Sequence, residues 1–123
     1  MLQKVLVVDD SMSLRRFMRG TLVEQGLEVV EAANGQEAIE VFQREAPDIV
    51  FLDITMPVMD GFETLPRLRE LSASTPVVVL TADIQSRTVE RILDLGAFLF
   101  LKKPPQKALV LDTLEQCREV IGS

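Results

Sequence analysis

The chain contains no histidine and one cysteine, and these two scarcities exclude several large classes of enzyme. Without histidine, neither a serine–histidine catalytic relay nor a zinc hydrolase is available. With Cys117 alone, neither an internal disulfide nor a cysteine-based metal site can form. Cys117 falls at helical spacing among the apolar residues Leu111, Leu114 and Ile121 of the last predicted helix, which is typical of a small core residue.

Basic residues and long apolar runs are also scarce. The chain has 13 basic and 19 acidic side chains, which gives a formal net charge of −6. Direct nucleic-acid binding needs a basic face, so this balance argues against it and favours a cation site or a partner with a basic surface. No apolar run approaches the roughly 20 residues of a membrane span, and the first apolar run lacks the small-residue cleavage site of a signal peptide. We therefore expect a cytoplasmic protein without membrane insertion.

The composition and pattern that are present indicate one α/β domain. Of the 123 residues, 47% are apolar and 26% are charged, which is ordinary for a globular protein. Short apolar runs alternate five times with helical patterns, and this order predicts a parallel sheet with helices on both faces. The predicted strands cover residues 5–8, 27–31, 49–52, 77–80 and 98–101.

Local signals predict how several helices begin and end. Asn34, followed by Glu37, forms a capping-box pattern that predicts a helix start, and Gly96 predicts a helix end. Pro66 falls early in the helix predicted over 62–71, where it removes a backbone hydrogen bond and clashes with a carbonyl oxygen one turn earlier. We expect a kink or a late helix start there. The apolar face of the first predicted helix consists of Leu14, Phe17, Met18 and Leu22.

Polar residues follow four of the five predicted strands, and the second strand, which ends at Glu31, offers nothing comparable. The four sets are Asp9-Asp10, Asp53, Thr81 and Lys102-Lys103. Since the carboxyl ends of parallel strands share one edge of the sheet, these side chains are expected to meet there. A single aspartate or threonine after a strand would more often cap the next helix. Four such strand ends in this order are much harder to obtain by chance.

Three carboxylates that meet at one edge repel each other, and a divalent cation removes the conflict. Mg²⁺ prefers oxygen ligands, usually one or two carboxylates with water and a phosphate oxygen. An aspartate can also act as a nucleophile toward phosphorus and form an acyl phosphate. Such a transfer depends mainly on positioning and charge neutralisation. The pattern therefore favours a Mg²⁺-dependent phosphoryl acceptor.

The chain resembles the receiver domains of two-component response regulators over essentially its whole length. The matching segments are residues 7–11, 52–61, 80–82, 96–97 and 100–104. The resemblance implies a flavodoxin-like (βα)5 fold with strand order 2-1-3-4-5. It also implies a switch that takes a phosphoryl group from a sensor histidine kinase or a phosphotransfer protein. Such a receiver catalyses its own phosphorylation and dephosphorylation and does not turn over a substrate.

The resemblance also implies a set of metal and acceptor residues. Asp53 matches the phosphoacceptor, and Asp9 and Asp10 match the acidic pair that serves Mg²⁺. Asp10 and Asp53 would bind the ion directly, whereas Asp9 would act largely through water. The backbone carbonyl of Thr55 would be a further ligand.

Further residues match the parts of the family that sense the phosphoryl group. Thr81 matches the switch hydroxyl, and Lys103 matches the lysine that pairs with the phosphate. Strand alternation would turn Lys102 to the opposite side. The family also implies a cis peptide at Lys103-Pro104, which X–Pro bonds tolerate.

Phe100 matches the family's switch aromatic, in a chain that has no tyrosine. Two interpretations remain open at this point: a ring that changes rotamer on activation, and a ring that is permanently part of the core. Thr55 and Asp83 match positions that modulate hydrolysis of the acyl phosphate. The residues expected to form the partner surface are Ser86, Val89, Leu93, Phe100, Lys102 and Gln106.

The last helical pattern ends almost at the C-terminus, which predicts one receiver domain over 1–123 without an output domain. A fragment of a longer regulator would have the same pattern. Signalling would then pass to a motor, an adaptor or a relay protein in chemotaxis or a phosphorelay.

Three rival functions share parts of this pattern. A Mg²⁺-dependent phosphatase with an aspartate nucleophile typically carries a second aspartate two residues later, where this chain has Thr55. A flavin-binding domain would need a hydroxyl- and glycine-rich phosphate cradle after the first strand, and Asp9 and Asp10 would repel phosphate there. A receiver-like scaffold that is never phosphorylated would not need the intact pocket.

Overall fold

Five strands and five helices alternate along residues 2–121, the part of the chain that the computed structural model describes. The strands are β1 (Lys4–Val8), β2 (Glu28–Ala32), β3 (Ile49–Asp53), β4 (Val77–Thr81) and β5 (Leu99–Lys102). The helices are α1 (Met12–Val23), α2 (Gly35–Glu45), α3 (Gly61–Leu71), α4 (Ser86–Asp94) and α5 (Lys107–Ile121). All strands are parallel and lie in the order β2-β1-β3-β4-β5, which confirms the predicted fold.

The central strands read as continuous apolar runs because helices cover both faces of the sheet. Alternate side chains of each strand enter two separate cores. One core joins the sheet to α1 and α5, and includes Phe51, Met18 and the fully buried Cys117, as predicted. The other joins the sheet to α2, α3 and α4, and includes Leu52 and Ile92.

Side-chain caps fix the starts of three helices. Asn34 accepts a hydrogen bond from the Glu37 N–H at 2.9 Å, which confirms the predicted cap of α2. Ser11 caps α1 in the same way. Gly96, with a φ of 109°, follows the end of α4, also as predicted.

No helix within residues 2–121 is long and apolar enough to span a membrane.

One sequence prediction about helices is wrong, namely that Phe17 lies on the buried face of α1, and the prediction at Pro66 is decided only in part. Helix α3 does not start late, because Asp60 accepts a hydrogen bond from the Glu63 N–H and fixes the start at Gly61, so Pro66 lies within a continuous helix. The expected kink at Pro66 stays a prediction. Phe17 is 38% exposed, since the buried stripe of α1 is centred on Met18 and leaves its neighbour at the edge.

The register of the sheet places the carboxyl ends of the strands side by side. Val8 pairs with Leu52, and Thr81 pairs with Lys102. The residues that follow these strands therefore meet at one edge, which we call the acidic edge.

Candidate functional site

Three carboxylates meet at the acidic edge, as the strand ends predict. Asp9, Asp10 and Asp53 each bring one carboxylate oxygen to within 4.8 Å of the others. Asp9 and Asp53 are 0% and 2% exposed, whereas Asp10 faces solvent. Buried carboxylates without compensating cations are costly, so the cluster needs positive charge.

Lys103 supplies one positive charge to the cluster. Its ammonium nitrogen lies 3.0 Å from Asp9 Oδ2 and 3.2 Å from Asp53 Oδ1. Burial lowers the pKa of Lys103, but the hydrogen bond to Asp9 and the charges of both carboxylates outweigh it, and the pKa is raised. Lys102 is exposed, so the structure brings Lys103 and not its neighbour into the site. The Lys103-Pro104 peptide is cis, as expected.

Asp53 remains incompletely compensated. Burial, and then the charge of Asp9, raise the pKa of Asp53 to about 6, against the opposing effects of Lys103 and the Thr55 N–H. Its Oδ2 atom is buried and has no hydrogen-bond partner among residues 2–121. Buried polar atoms are nearly always bonded, so this one calls for a ligand. A divalent cation fits the donor set, because the three carboxylates offer the oxygen ligands that Mg²⁺ prefers.

Asp9, in contrast, has a hydrogen-bond partner at each of its polar atoms. Its N–H donates to the Ala32 carbonyl at 3.1 Å, and its own carbonyl accepts from Arg15 Nη1 at 2.6 Å. Asp9 Oδ1 accepts from the Ser11 N–H at 2.8 Å, and Oδ2 accepts from Lys103. The Asp9 side chain is therefore oriented before any ligand binds.

Sequence reasoning missed the group that anchors Arg15. The Glu31 carboxylate accepts from Arg15 Nε at 3.0 Å and from Arg19 Nε at 2.6 Å. Burial raises the pKa of Glu31, but the hydrogen bonds from the two arginines prevail and lower it. The available signal was one acid at the end of the second strand and two arginines spaced four apart on the first helix.

The β3–α3 loop (54–60) folds back onto Asp53. The Thr55 N–H donates to Asp53 Oδ1 at 3.3 Å, and the Gly61 N–H donates to the Ile54 carbonyl at 2.9 Å. A Cβ atom at Gly61 would lie 2.6 Å from the Asp53 carbonyl oxygen, so a side chain there would displace the backbone of the acceptor. Thr55 itself is exposed.

The same loop contains an unfavourable backbone conformation at Val58. Its φ is 68°, and the Met59 N–H donates to the Pro57 carbonyl across it at 2.8 Å, which makes a tight three-residue turn. Positive φ is a clear outlier for a β-branched residue. The Val58 side chain is 83% exposed, so no packing offsets the strain.

Thr81 is buried at the end of β4, and its hydroxyl is engaged with Asp83. Thr81 Oγ1 donates to the Asp83 carbonyl at 3.1 Å and accepts from the Asp83 N–H at 3.0 Å. The Asp83 carboxylate turns toward the start of α4, where it accepts from the Thr88 hydroxyl at 2.6 Å and the Gln85 N–H at 3.0 Å. These two bonds hold the pKa of Asp83 below its usual value.

The predicted partner residues lie on α4, β5 and the loop that follows β5. Phe100 is partly buried and packs against the core of α2, α3 and α4. Leu93 is 44% exposed although it is apolar. Of the remaining four, Val89 is partly exposed, and the exposed ones are Ser86, Lys102 and Gln106.

Comparison with known proteins identifies the family. The profile of the response regulator receiver domain matches residues 5–115. The chain belongs to this family. Receivers are phospho-accepting switches of two-component signalling and not enzymes that turn over a substrate. The resemblance drawn from the strand-end motifs is therefore confirmed.

The relatives of this receiver include chemotaxis proteins. It is 36% identical to the chemotaxis protein CheY of Bacillus subtilis, with 94% of this chain and 98% of that protein covered. The structure of Vibrio cholerae chemotaxis protein CheY4 superposes with a TM-score of 0.89 at 36% identity, with coverage of 95% and 99% of the two chains. A chain of the CheX-CheY-BeF3-Mg²⁺ complex of Borrelia burgdorferi superposes with a TM-score of 0.88 at 32% identity, with 93% of this chain and 87% of that chain covered.

Proposed function

We propose that this receiver is a Mg²⁺-dependent switch in which Asp53 accepts a phosphoryl group from a sensor histidine kinase or a phosphotransfer protein. The unpartnered Asp53 Oδ2 carries this proposal. It is a buried carboxylate oxygen beside Lys103, in a cluster that needs a cation. An oxygen that makes no hydrogen bond is free to form a bond to phosphorus.

Each residue of the site has a distinct part in this transfer. Asp53 Oδ2 attacks phosphorus, and Lys103 neutralises charge on the phosphoryl oxygens. Asp10, Asp53 and the Thr55 carbonyl would hold Mg²⁺ directly, and Asp9 would hold it through water. The ion, when bound, supplies positive charge to the phosphoryl oxygens. The bonds that Asp9 makes to the protein suit it to an indirect role.

Thr81 would connect the acceptor to the rest of the molecule. To donate to a phosphoryl oxygen, its hydroxyl must give up the bond to the Asp83 carbonyl. That exchange would release the start of α4 and change the surface that α4 and β5 form. Thr55 donates its N–H to Asp53, and Asp83 is bonded to Thr81. These two residues would set the rate at which water reaches the acyl phosphate.

We infer that the output of the switch is a change in partner binding on the face formed by α4, β5 and α5. The partner would be a motor, an adaptor or a relay protein in chemotaxis or a phosphorelay. The chemotaxis relatives support this pathway, and the Borrelia protein was solved in a complex with CheX.

Intact-mass spectrometry tests the proposal. Incubation with acetyl phosphate and Mg²⁺ is expected to add one phosphoryl group, and removal of Mg²⁺ with a chelator is expected to prevent the addition. Asp53→Asn should remain unlabelled under the same conditions. Labelling that persists in Asp53→Asn would place the acceptor elsewhere, and steady turnover of a phosphoester would favour a phosphatase.

A further inference from the structure

A cleft of about 300 Å³ opens beside the acceptor, between the β3–α3 loop and α4. Its lining residues are Ile54, Thr55, Phe62, Thr81, Ala82, Asp83, Thr88 and Arg91. Ile54 and Thr55 directly follow Asp53, and the Thr55 N–H donates to Asp53 Oδ1 at 3.3 Å, so the cleft adjoins the candidate site. The part of the cleft next to α4, which Thr88 and Arg91 line, has no role in the phosphoryl transfer proposed above.

Arg91 is the one basic residue among those that line this cleft. Its guanidinium carbon lies 3.8 Å from the centre of the Phe62 ring, which places a cation on the face of an aromatic ring. Stacking on a ring restricts a long and otherwise mobile side chain. Arg91 comes from α4 and Phe62 from α3, so the pair spans the cleft wall between two helices.

The acidic residue that lines the cleft, Asp83, does not form an ion pair with Arg91. Asp83 directs its carboxylate at the Thr88 hydroxyl and the Gln85 N–H, which satisfy both of its oxygens. The guanidinium therefore remains available to an anion that enters the cleft. A cation with hydroxyl groups around it suits a small carboxylate better than an apolar ligand.

The chemistry of phosphoryl transfer requires space for a leaving group on the side of phosphorus opposite to Asp53. With an acyl phosphate, the bond from Asp53 oxygen to phosphorus forms while the bond from phosphorus to the acyl oxygen breaks. The acyl group departs as a carboxylate that carries the electron pair. With phosphoramidate, whose nitrogen is already protonated, the leaving group is neutral ammonia.

We propose, on the basis of the function proposed above, that Arg91 is a specificity-determining residue that holds the carboxylate leaving group of small acyl phosphates in this cleft. The receiver then discriminates between phosphodonors by the charge of the group that leaves. Phe62 acts as the positioning residue that keeps the guanidinium at the cleft wall.

Phosphorylation rates with two donors test this proposal. Initial rates are measured by intact mass with acetyl phosphate and with phosphoramidate, both with Mg²⁺, on the wild type and on Arg91→Gln. We expect Arg91→Gln to slow the acetyl phosphate reaction about twofold to fivefold, as for the loss of one partly exposed ion pair, and to leave the phosphoramidate reaction unchanged. Arg87→Gln is the matched control, because Arg87 is exposed on the same helix and does not line the cleft.

Two further measurements separate a specific contact from a general effect of charge. Phe62→Leu keeps the charge but removes the ring, and it should shift the ratio of the two rates in the same direction as Arg91→Gln. Added salt should reduce the wild-type preference for acetyl phosphate, because it screens the exposed cation.

The outcomes that overturn the inference differ from those that overturn the function. Equal slowing with both donors, an unchanged ratio of rates, or the same change in Arg87→Gln would overturn the role of Arg91 alone. A wild-type protein that neither donor labels at Asp53 would overturn the proposed function, and the role of Arg91 with it.

Discussion

The two sides of the acidic edge differ in how completely their polar atoms are bonded. On the α1 side, formed by the β1–α1 loop and α1, hydrogen bonds hold the N–H, the carbonyl and both carboxylate oxygens of Asp9. On the α4 side, formed by the β3–α3 and β4–α4 loops with α4, Asp53 Oδ2 has no partner among residues 2–121, and Val58 has positive φ.

Packing differs in the same direction. Helix α1 buries Met18, Thr21 and Leu22 and begins with a side-chain cap from Ser11. Within the described part of the chain, Ile92 is the one fully buried side chain of α4, and that helix begins without a side-chain cap. Low burial and absent caps mark regions of low local stability. The α1 side is therefore the more completely bonded half of the site, and we expect rearrangement on the α4 side.

The largest expected effect comes from truncation of one leucine on each helix, which tests the difference in packing between the two sides. Leu22→Ala, in the core beneath α1, should lower the free energy of unfolding by about 2–4 kcal/mol, because it leaves a cavity. Leu93→Ala, on the exposed face of α4, should change it by less than about 0.5 kcal/mol. Urea unfolding followed by far-UV circular dichroism measures both, and similar losses would contradict the comparison.

The unpartnered carboxylate gives the next largest effect. The pKa of Asp53 is raised to about 6 in the folded protein, so folding favours its protonated form. Stability is therefore present at low pH and is lost as the pH rises from about 4 through about 6. In metal-free buffer at neutral pH, Asp53→Asn should be more stable than the wild type by on the order of 1–2 kcal/mol.

The pH dependence distinguishes this cause from a general effect of charge. The stability gap between wild type and Asp53→Asn should shrink as the pH falls toward about 4, where both side chains are neutral. Thermal unfolding across this range measures the gap. Glu119→Gln, which removes an exposed carboxylate on α5, is the control. A gap that stays constant with pH would refute the assignment to Asp53.

The α1 side can be loosened at Arg15. Arg15→Ala removes the donor to the Asp9 carbonyl and leaves Glu31 with one of its two arginines. We expect a loss of about 1–2 kcal/mol in the free energy of unfolding, together with weaker Mg²⁺ binding by titration calorimetry. Arg16→Ala, at the exposed neighbouring position, should change neither quantity. Unchanged Mg²⁺ affinity in Arg15→Ala would show that the α1 side does not set the metal site.

The smallest expected effect concerns the strained turn. Val58→Gly removes a positive-φ conflict that costs an L-residue about 1–2 kcal/mol, and the greater chain entropy of glycine offsets part of that gain. We expect a net stabilisation of about 0.5 kcal/mol. Val58→Ala keeps a Cβ atom and should show no such gain. A loss of stability in Val58→Gly would indicate that the valine side chain makes contacts that its exposure does not suggest.

The strand order and the alternation of strands and helices could be predicted from the sequence, because they depend on local patterns. Continuous apolar runs identify buried parallel strands, and strand-end polarity identifies the edge where Asp53 and Lys103 meet. The start of α3 also follows a local pattern, since Asp60 and Glu63 repeat the spacing of Asn34 and Glu37.

The missed contacts depend on tertiary packing. Arg15 meets Glu31 across two elements, and Arg91 meets Phe62 across two others, at separations that no periodicity encodes. Both arginines follow the polar pattern of exposed helix faces. The spacing of Arg15 and Arg19 indicates a basic helix face, but the identity of either arginine's partner follows only from the angles between the helices and the sheet.

Because Asp53 Oδ2 has no hydrogen-bond partner among residues 2–121, the stability of the folded protein should report the binding of ligands at this oxygen. Any cation or anion that binds there and not to the unfolded chain raises the free energy of unfolding by mass action, by about 2.7 kcal/mol at a hundredfold excess over its dissociation constant. The melting temperature rises as a result. Melting curves in the presence of candidate cations and phosphate analogues can therefore rank ligands of this site before a kinase or an output partner is identified.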